Sequence, residues 1–139
     1  MAALAVAAVV WLVWPKAPER TPRALEYQDF DVCLLVDNRG IRAGTAATAW
    51  ARIRGAVADT KVRLSYLSVS GPQTEEQARL FVPTLVQQGC DVVVAVGANQ
   101  VRAAQATAST YPDVYFLVVE SDADVDEVAA RVSSLVPSA

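Results

Sequence analysis

DVCLLVD (residues 31–37), KVRLSYLSV (61–69), DVVVAVG (91–97) and VYFLVVE (114–120) are four apolar runs rich in β-branched and aromatic residues, and the segments between them follow helical patterns. Strands that alternate with helices form a parallel sheet, and a strand covered on both faces reads as an unbroken apolar run. Residues 92–96 are uniformly apolar and therefore central. Residues 61–66 instead alternate Val62, Leu64 and Tyr66 with Lys61, Arg63 and Ser65, the pattern of a half-exposed edge strand. The predicted fold is α/β: a three-layer, Rossmann-like single lobe with a four-stranded parallel sheet in the order 2-1-3-4 and right-handed crossovers.

The intervening helices follow from spacing. Ala46, Trp50, Ile53 and Val57 share one face of the first, with Trp50 read as a core residue. Ala78, Val82 and Leu85 form the stripe of the second, which begins at a capping box of Thr74 and Gln77. Pro83 should kink that helix, and Gly89 suits the position just past its end. Asn99 is the expected cap of the third helix, which carries Val101, Ala104 and Ala108 and stops at Tyr111-Pro112. The last helix is predicted to start at Asp124, with Glu127 three residues on and a stripe of Val125, Val128, Ala129, Val132 and Leu135.

The chain has 139 residues and a net charge of −3, enough for one core and without the basic face that a nucleic-acid groove needs. It contains no histidine, which removes Ser-His and Cys-His nucleophiles and His-based metal sites. The two cysteines form no CxxC motif. If their strands are neighbours, Cys33 and Cys90 stand about three positions out of register, roughly 10 Å at ~3.3 Å per residue. That separation predicts two buried free thiols.

Ala2 to Trp14 is uncharged and almost wholly apolar, with Trp11 and Trp14 at the end where indoles favour a membrane boundary, and Pro15 after them. At ~1.5 Å per residue it reaches about 20 Å, less than the ~30 Å hydrocarbon core. Residues 1–14 therefore read as an apolar helix that is either a membrane anchor or a signal segment, residues 15–29 as a proline-bearing linker, and residues 30–139 as the lobe. Lys16, Arg20 and Arg23 after the apolar run favour a cytoplasmic flank by the positive-inside rule.

Ligands of open parallel sheets gather at the carboxyl ends of the strands. Asp37, Gly97 and Glu120 stand at three such ends. Asn38 and Gly40 belong to the turn after the first strand, and Asn99 to the start of the helix after the third. Asp37, Asn38, Gly40, Gly97, Asn99 and Glu120 are thus the candidate ligand-binding residues. Asp37 could equally cap its own turn, and Glu120 could be merely solvated. The turn DNRGIRAG (37–44) lacks the GxGxxG spacing of a dinucleotide site, a P-loop is absent, and Gly97 occupies the place of a receiver domain's phosphoacceptor aspartate. No nucleophile–base pair or metal cluster can be named, so the chain reads as a binding protein, not an enzyme, without a cofactor.

From about Phe30 to Ser121 the chain resembles the first lobe of the basic membrane protein (BMP) family. The resemblance rests on FDVCLLVDNRGI (30–41), the Ala49-Trp50 pair, LVQQGCDVVVAVG (85–97) and YPDVYFLVVES (111–121). Members are substrate-binding proteins of ABC transporters, including purine-nucleoside receptors, with the type I periplasmic-binding-protein fold. The resemblance implies a cleft Asp at Asp37, a cleft-lining turn at Gly97 and an acidic position at Glu120. It also implies an extracytoplasmic lobe at the cell membrane, in opposition to the basic flank, and an ABC permease or membrane receptor as partner. Gly44-Thr45-Ala46 departs from the family's Ser-Phe-Asn run. Two functions are expected: a membrane-tethered lobe that binds or senses a nucleoside-like solute, with a homodimer rebuilding the cleft, or a protein–protein module that keeps the fold without a ligand.

Overall fold

The computed structural model describes residues 29–137. The apolar segment 1–14 and most of the linker lie outside the described residues, among which no helix is long and apolar enough to cross a membrane. Four strands, β1 (Asp31–Val36), β2 (Arg63–Ser68), β3 (Val92–Val96) and β4 (Tyr115–Val119), form one parallel sheet in the order β2-β1-β3-β4. Four helices follow them: α1 (Gly44–Ala56), α2 (Glu75–Gln87), α3 (Ala98–Thr107) and α4 (Val125–Leu135). The predicted fold and strand order are those observed.

Alternation along each strand decides which layer each side chain enters. Val32, Leu34, Val92, Val94 and Val96 face α1 and α4, where Ala49, Ile53, Val128 and Val132 complete one core. Cys33, Leu35 and Val93 face the opposite side, against Ala78, Val82, Leu85 and Ala103 of α2 and α3. Because β1 and β3 are central, their residues from Val32 to Val36 and Val92 to Val96 are almost fully buried. The edge strand β2 is half exposed, as its alternation predicts. Tyr66 remains 46% exposed and meets the Trp50 ring in a T-shaped pair, with centroids 5.4 Å apart.

Helix ends depart from the sequence reading in instructive ways. The Thr74 side chain accepts from the Gln77 N–H (3.1 Å). The reciprocal half of the box is missing, because the Gln77 amide donates to the Ser70 carbonyl (2.9 Å) and ties down the loop instead. Thr74→Ala should therefore cost about 1 kcal/mol, the ordinary worth of one N-cap, read as a lower urea midpoint at unchanged slope. α2 runs through Pro83. Asp124 directly precedes α4, as predicted, but its side chain caps no N–H of that helix. It ends a short 3₁₀ turn (Asp122–Asp124), and its carboxylate reaches back to the N–H groups of Glu120 (3.0 Å) and Ser121 (3.1 Å).

The expectation of free thiols is wrong: Cys33 and Cys90 are joined in a disulfide, with α-carbons 6.0 Å apart. The register was read correctly, since Cys33 stands opposite Val93. The error lies in extending β3 as a straight line back to residue 90. Gly89, at φ +86°, reverses the chain, and the N–H groups of Gly89 and Cys90 donate to the carbonyls of Val86 and Leu85 (3.1 and 3.2 Å). This end motif folds the residue after the glycine back onto the last turn of the helix. Cys90 thereby enters the same core as Leu85 and Cys33.

Candidate functional site

The order β2-β1-β3-β4 reverses direction between β1 and β3. The chain leaving β1 enters α1 on one face of the sheet, and the chain leaving β3 enters α3 on the other. In open parallel sheets ligands gather where two such connections part. The 37–43 loop and the amino end of α3 flank that point.

Asp37 is held by its own turn. Its backbone carbonyl accepts from the Gly40 N–H (3.0 Å). One carboxylate oxygen accepts from the Arg39 N–H (2.9 Å), and the other accepts from the Arg39 guanidinium (2.9 and 3.2 Å). The guanidinium hydrogen bonds, and then the charge of Asp37, hold the exposed Arg39 above its usual pKa. The Asn38 N–H donates to the side-chain oxygen of Gln73 (3.3 Å). Gln73 also donates to the carbonyls of Val69 and Gly71 (2.9 and 3.0 Å), while its own carbonyl accepts from the Asn99 amide (2.9 Å). Gln73 therefore joins the loops after β1 and β2 to the start of α3.

Asn99 is accordingly not the cap of α3. Gly97 holds the cap position at φ +100° and ψ 156°, and its carbonyl accepts the first helical bond, from Val101 (2.9 Å). With no side chain at residue 97, the N–H groups of Ala98, Asn99 and Gln100 have no capping partner among the described residues. Gln100 lies beside them, 3% exposed, a polar side chain within an otherwise apolar interior. Its amide oxygen rests over the α-carbon of Gly97, so close that a β-carbon there would sit 2.8 Å from it. The amide makes no hydrogen bond to any other described residue.

Asn38 and Asn99 are thus joined through Gln73, and Gly97 lies against Gln100, while Gly40, which hydrogen-bonds the Asp37 carbonyl, packs towards Ser68 and Tyr66 of β2. Glu120 stands apart. It is exposed and lines an open groove of about 800 Å³ along the outer side of β4, with Gln105, Phe116, Glu127 and Arg131. Sequence reasoning missed Gln73 and Gln100. Gln73 carries no local signal for this role, since the two partners it bridges, Asn99 and Asn38, are 26 and 35 residues away. Gln100 carried one: it precedes Ala103 and Ala104 by three and four residues, so it shares their buried face. Among the described residues no group of three or more carboxylate or thiol side chains could hold a metal ion.

No family model matches the chain, and no curated protein does. Among solved structures, it is similar to a crystal structure of a "putative lipoprotein" (fragment) from Peptoclostridium difficile 630. The two share a TM-score of 0.62 at 15% identity, over 76% of this chain and 97% of the other. At that identity the likeness is one of fold.

Proposed function

We propose that the chain is a membrane-tethered, extracytoplasmic binding lobe of BMP type. It takes a small, nucleoside-like solute between the loop after β1 and the amino end of α3, without converting it. The observation that carries this reading is Gln100. A buried amide without a partner costs about 1–3 kcal/mol, and such groups persist where something else completes them. One amide offers a donor and an acceptor side by side, the complement of a nucleobase edge. The uncapped N–H groups of α3 offer further donors to a hydroxyl or carbonyl oxygen.

Two facts support the compartment. Disulfides such as Cys33–Cys90 persist in oxidising surroundings, which weighs against the cytoplasmic reading of Lys16, Arg20 and Arg23. The structural neighbour is described as a "putative lipoprotein" fragment, and 97% of that chain is matched by this single lobe. By the BMP resemblance, the partner would be an ABC permease or a membrane receptor.

The test is thermal unfolding of the full chain in detergent, with and without millimolar purine nucleosides. The wild type should be stabilised by ligand. Gln100→Met should abolish that shift while raising the ligand-free melting temperature, because it removes a buried polar group at nearly equal volume. No ligand shift in the wild type, together with a lower melting temperature for Gln100→Met, would sink the proposal. A second reading, a protein-interaction module without ligand, is favoured by Asp37, whose carboxylate oxygens both already accept from Arg39. It predicts crosslinking to a membrane partner and no response to nucleosides.

A further inference from the structure

The two edges of the sheet are built differently. β2 carries Arg63, which pairs with Asp31 (2.5 Å) and Asp29 (3.6 Å), and Lys61 precedes it. Charges of this kind blunt an edge against pairing with another chain. β4 reads Tyr-Phe-Leu-Val-Val and has no charged residue or proline. Tyr115 is 53% exposed, and Phe116, Leu117 and Val118 are only partly covered. A bare, uncharged edge of this kind is the form that natural sheets avoid unless something covers it.

We propose that β4 is the interface of a two-fold dimer of this chain, in which two sheets join edge to edge through antiparallel β4 strands. The backbone supports this occupant. The Tyr115 N–H and the Val119 carbonyl are bonded inward, to Asp91 and Gly97 (2.9 and 3.1 Å). Successive residues of a strand point their backbone groups to opposite sides, so Phe116 and Val118 point theirs outward. The next outward N–H, that of Glu120, is already taken by Asp124. An antiparallel copy centred on Leu117 places Phe116 opposite Val118 of the second chain, and Val118 opposite its Phe116. Both outward N–H groups and both outward carbonyls of each chain are then satisfied, with the two Leu117 side chains meeting at the axis.

Charge agrees with the same axis. Glu127 and Arg131 line the groove beside β4, and neither forms an ion pair with a described residue. The axis sets the two α4 helices antiparallel, which brings Glu127 of one chain towards Arg131 of the other.

The test uses the full chain in detergent. Leu117→Cys should convert most of the chain to a disulfide-linked dimer under mild oxidation, because non-hydrogen-bonded partners across an antiparallel pair have α-carbons only about 4.5 Å apart. The native cysteines are already joined and do not compete. Leu80→Cys, an exposed position on α2, is the control and should stay monomeric. Light scattering should give a dimer for wild type and a monomer for Val118→Lys at unchanged circular dichroism. Glu127→Arg should weaken the dimer, and adding Arg131→Glu should restore it. A wild-type monomer, equal crosslinking of Leu117→Cys and Leu80→Cys, or crosslinking of Leu117→Cys to a different protein would overturn the proposal.

Discussion

Replacing Cys33 and Cys90 together by alanine lowers the stability of the lobe by about 4 kcal/mol in the chain-entropy picture of a crosslink. The two residues are 57 apart in sequence, and the closed loop contains most of β1 and all of α1, β2 and α2. Opening it frees half of the sheet in the unfolded ensemble. Domains of this size have total stabilities of about 5–15 kcal/mol, so the loss is a large share. The melting temperature should fall by roughly 20 °C, at about 4–8 °C per kcal/mol for small domains. The cysteines are 2% and 4% exposed, so reductant alone acts slowly on the folded protein and quickly once denaturant opens it. The measurement is urea unfolding of wild type and double variant, with thiol alkylation and mass spectrometry of protein taken from cell membranes. Two alkylated cysteines in that native material would remove both this prediction and the argument for an oxidising compartment.

What the sequence disclosed and what it hid divide along one physical line. Burial on both faces leaves an unbroken apolar run, so β3 was legible as a central strand, and the alternation in β2 placed it at an edge. Strand order followed because a parallel pair needs a crossover and crossovers have a preferred hand. Chain ends of helices were less legible because they are settled by competition among several polar side chains. Asn99 could have capped α3, but Gln73 offers its amide a carbonyl in a loop 26 residues away. Asp124 does stand at the start of α4, but its carboxylate is taken by the N–H groups of Glu120 and Ser121 and caps no N–H of the helix. The disulfide was missed for a related reason, since a positive-φ glycine moved Cys90 off the line of its strand. Of the candidate site, Asp37 and Gly97 were visible from the rule that ligands gather at carboxyl ends of strands. Gln100 was visible only as a polar residue on an apolar helical face, and its isolation from other polar groups is a property of the folded chain alone.

Gly97→Ala should cost about 3 kcal/mol, and the cost should have two separable parts. The first is backbone strain. At φ +100° and ψ 156° residue 97 occupies a region that is essentially closed to residues with a β-carbon, at of order 1–3 kcal/mol. Turning the peptide to escape would break the bond from the Gly97 N–H to the Val119 carbonyl, which joins the end of β3 to β4. The second part is steric, since the new β-carbon would meet the Gln100 oxygen at 2.8 Å. Gln100 is flexible but 97% enclosed, so its amide can yield only by disturbing the packing around it. A double-variant cycle separates the two. In a Gln100→Ala background the steric part disappears and the cost of Gly97→Ala should fall by about 1 kcal/mol, a coupling typical of residues in contact. The strain should persist, because it belongs to the backbone. Urea unfolding of the four variants measures both, and a cost for Gly97→Ala below 1 kcal/mol in either background would show that the turn after β3 is not held in this conformation. That result would also take away the uncapped amino end of α3 on which the proposed solute binding relies.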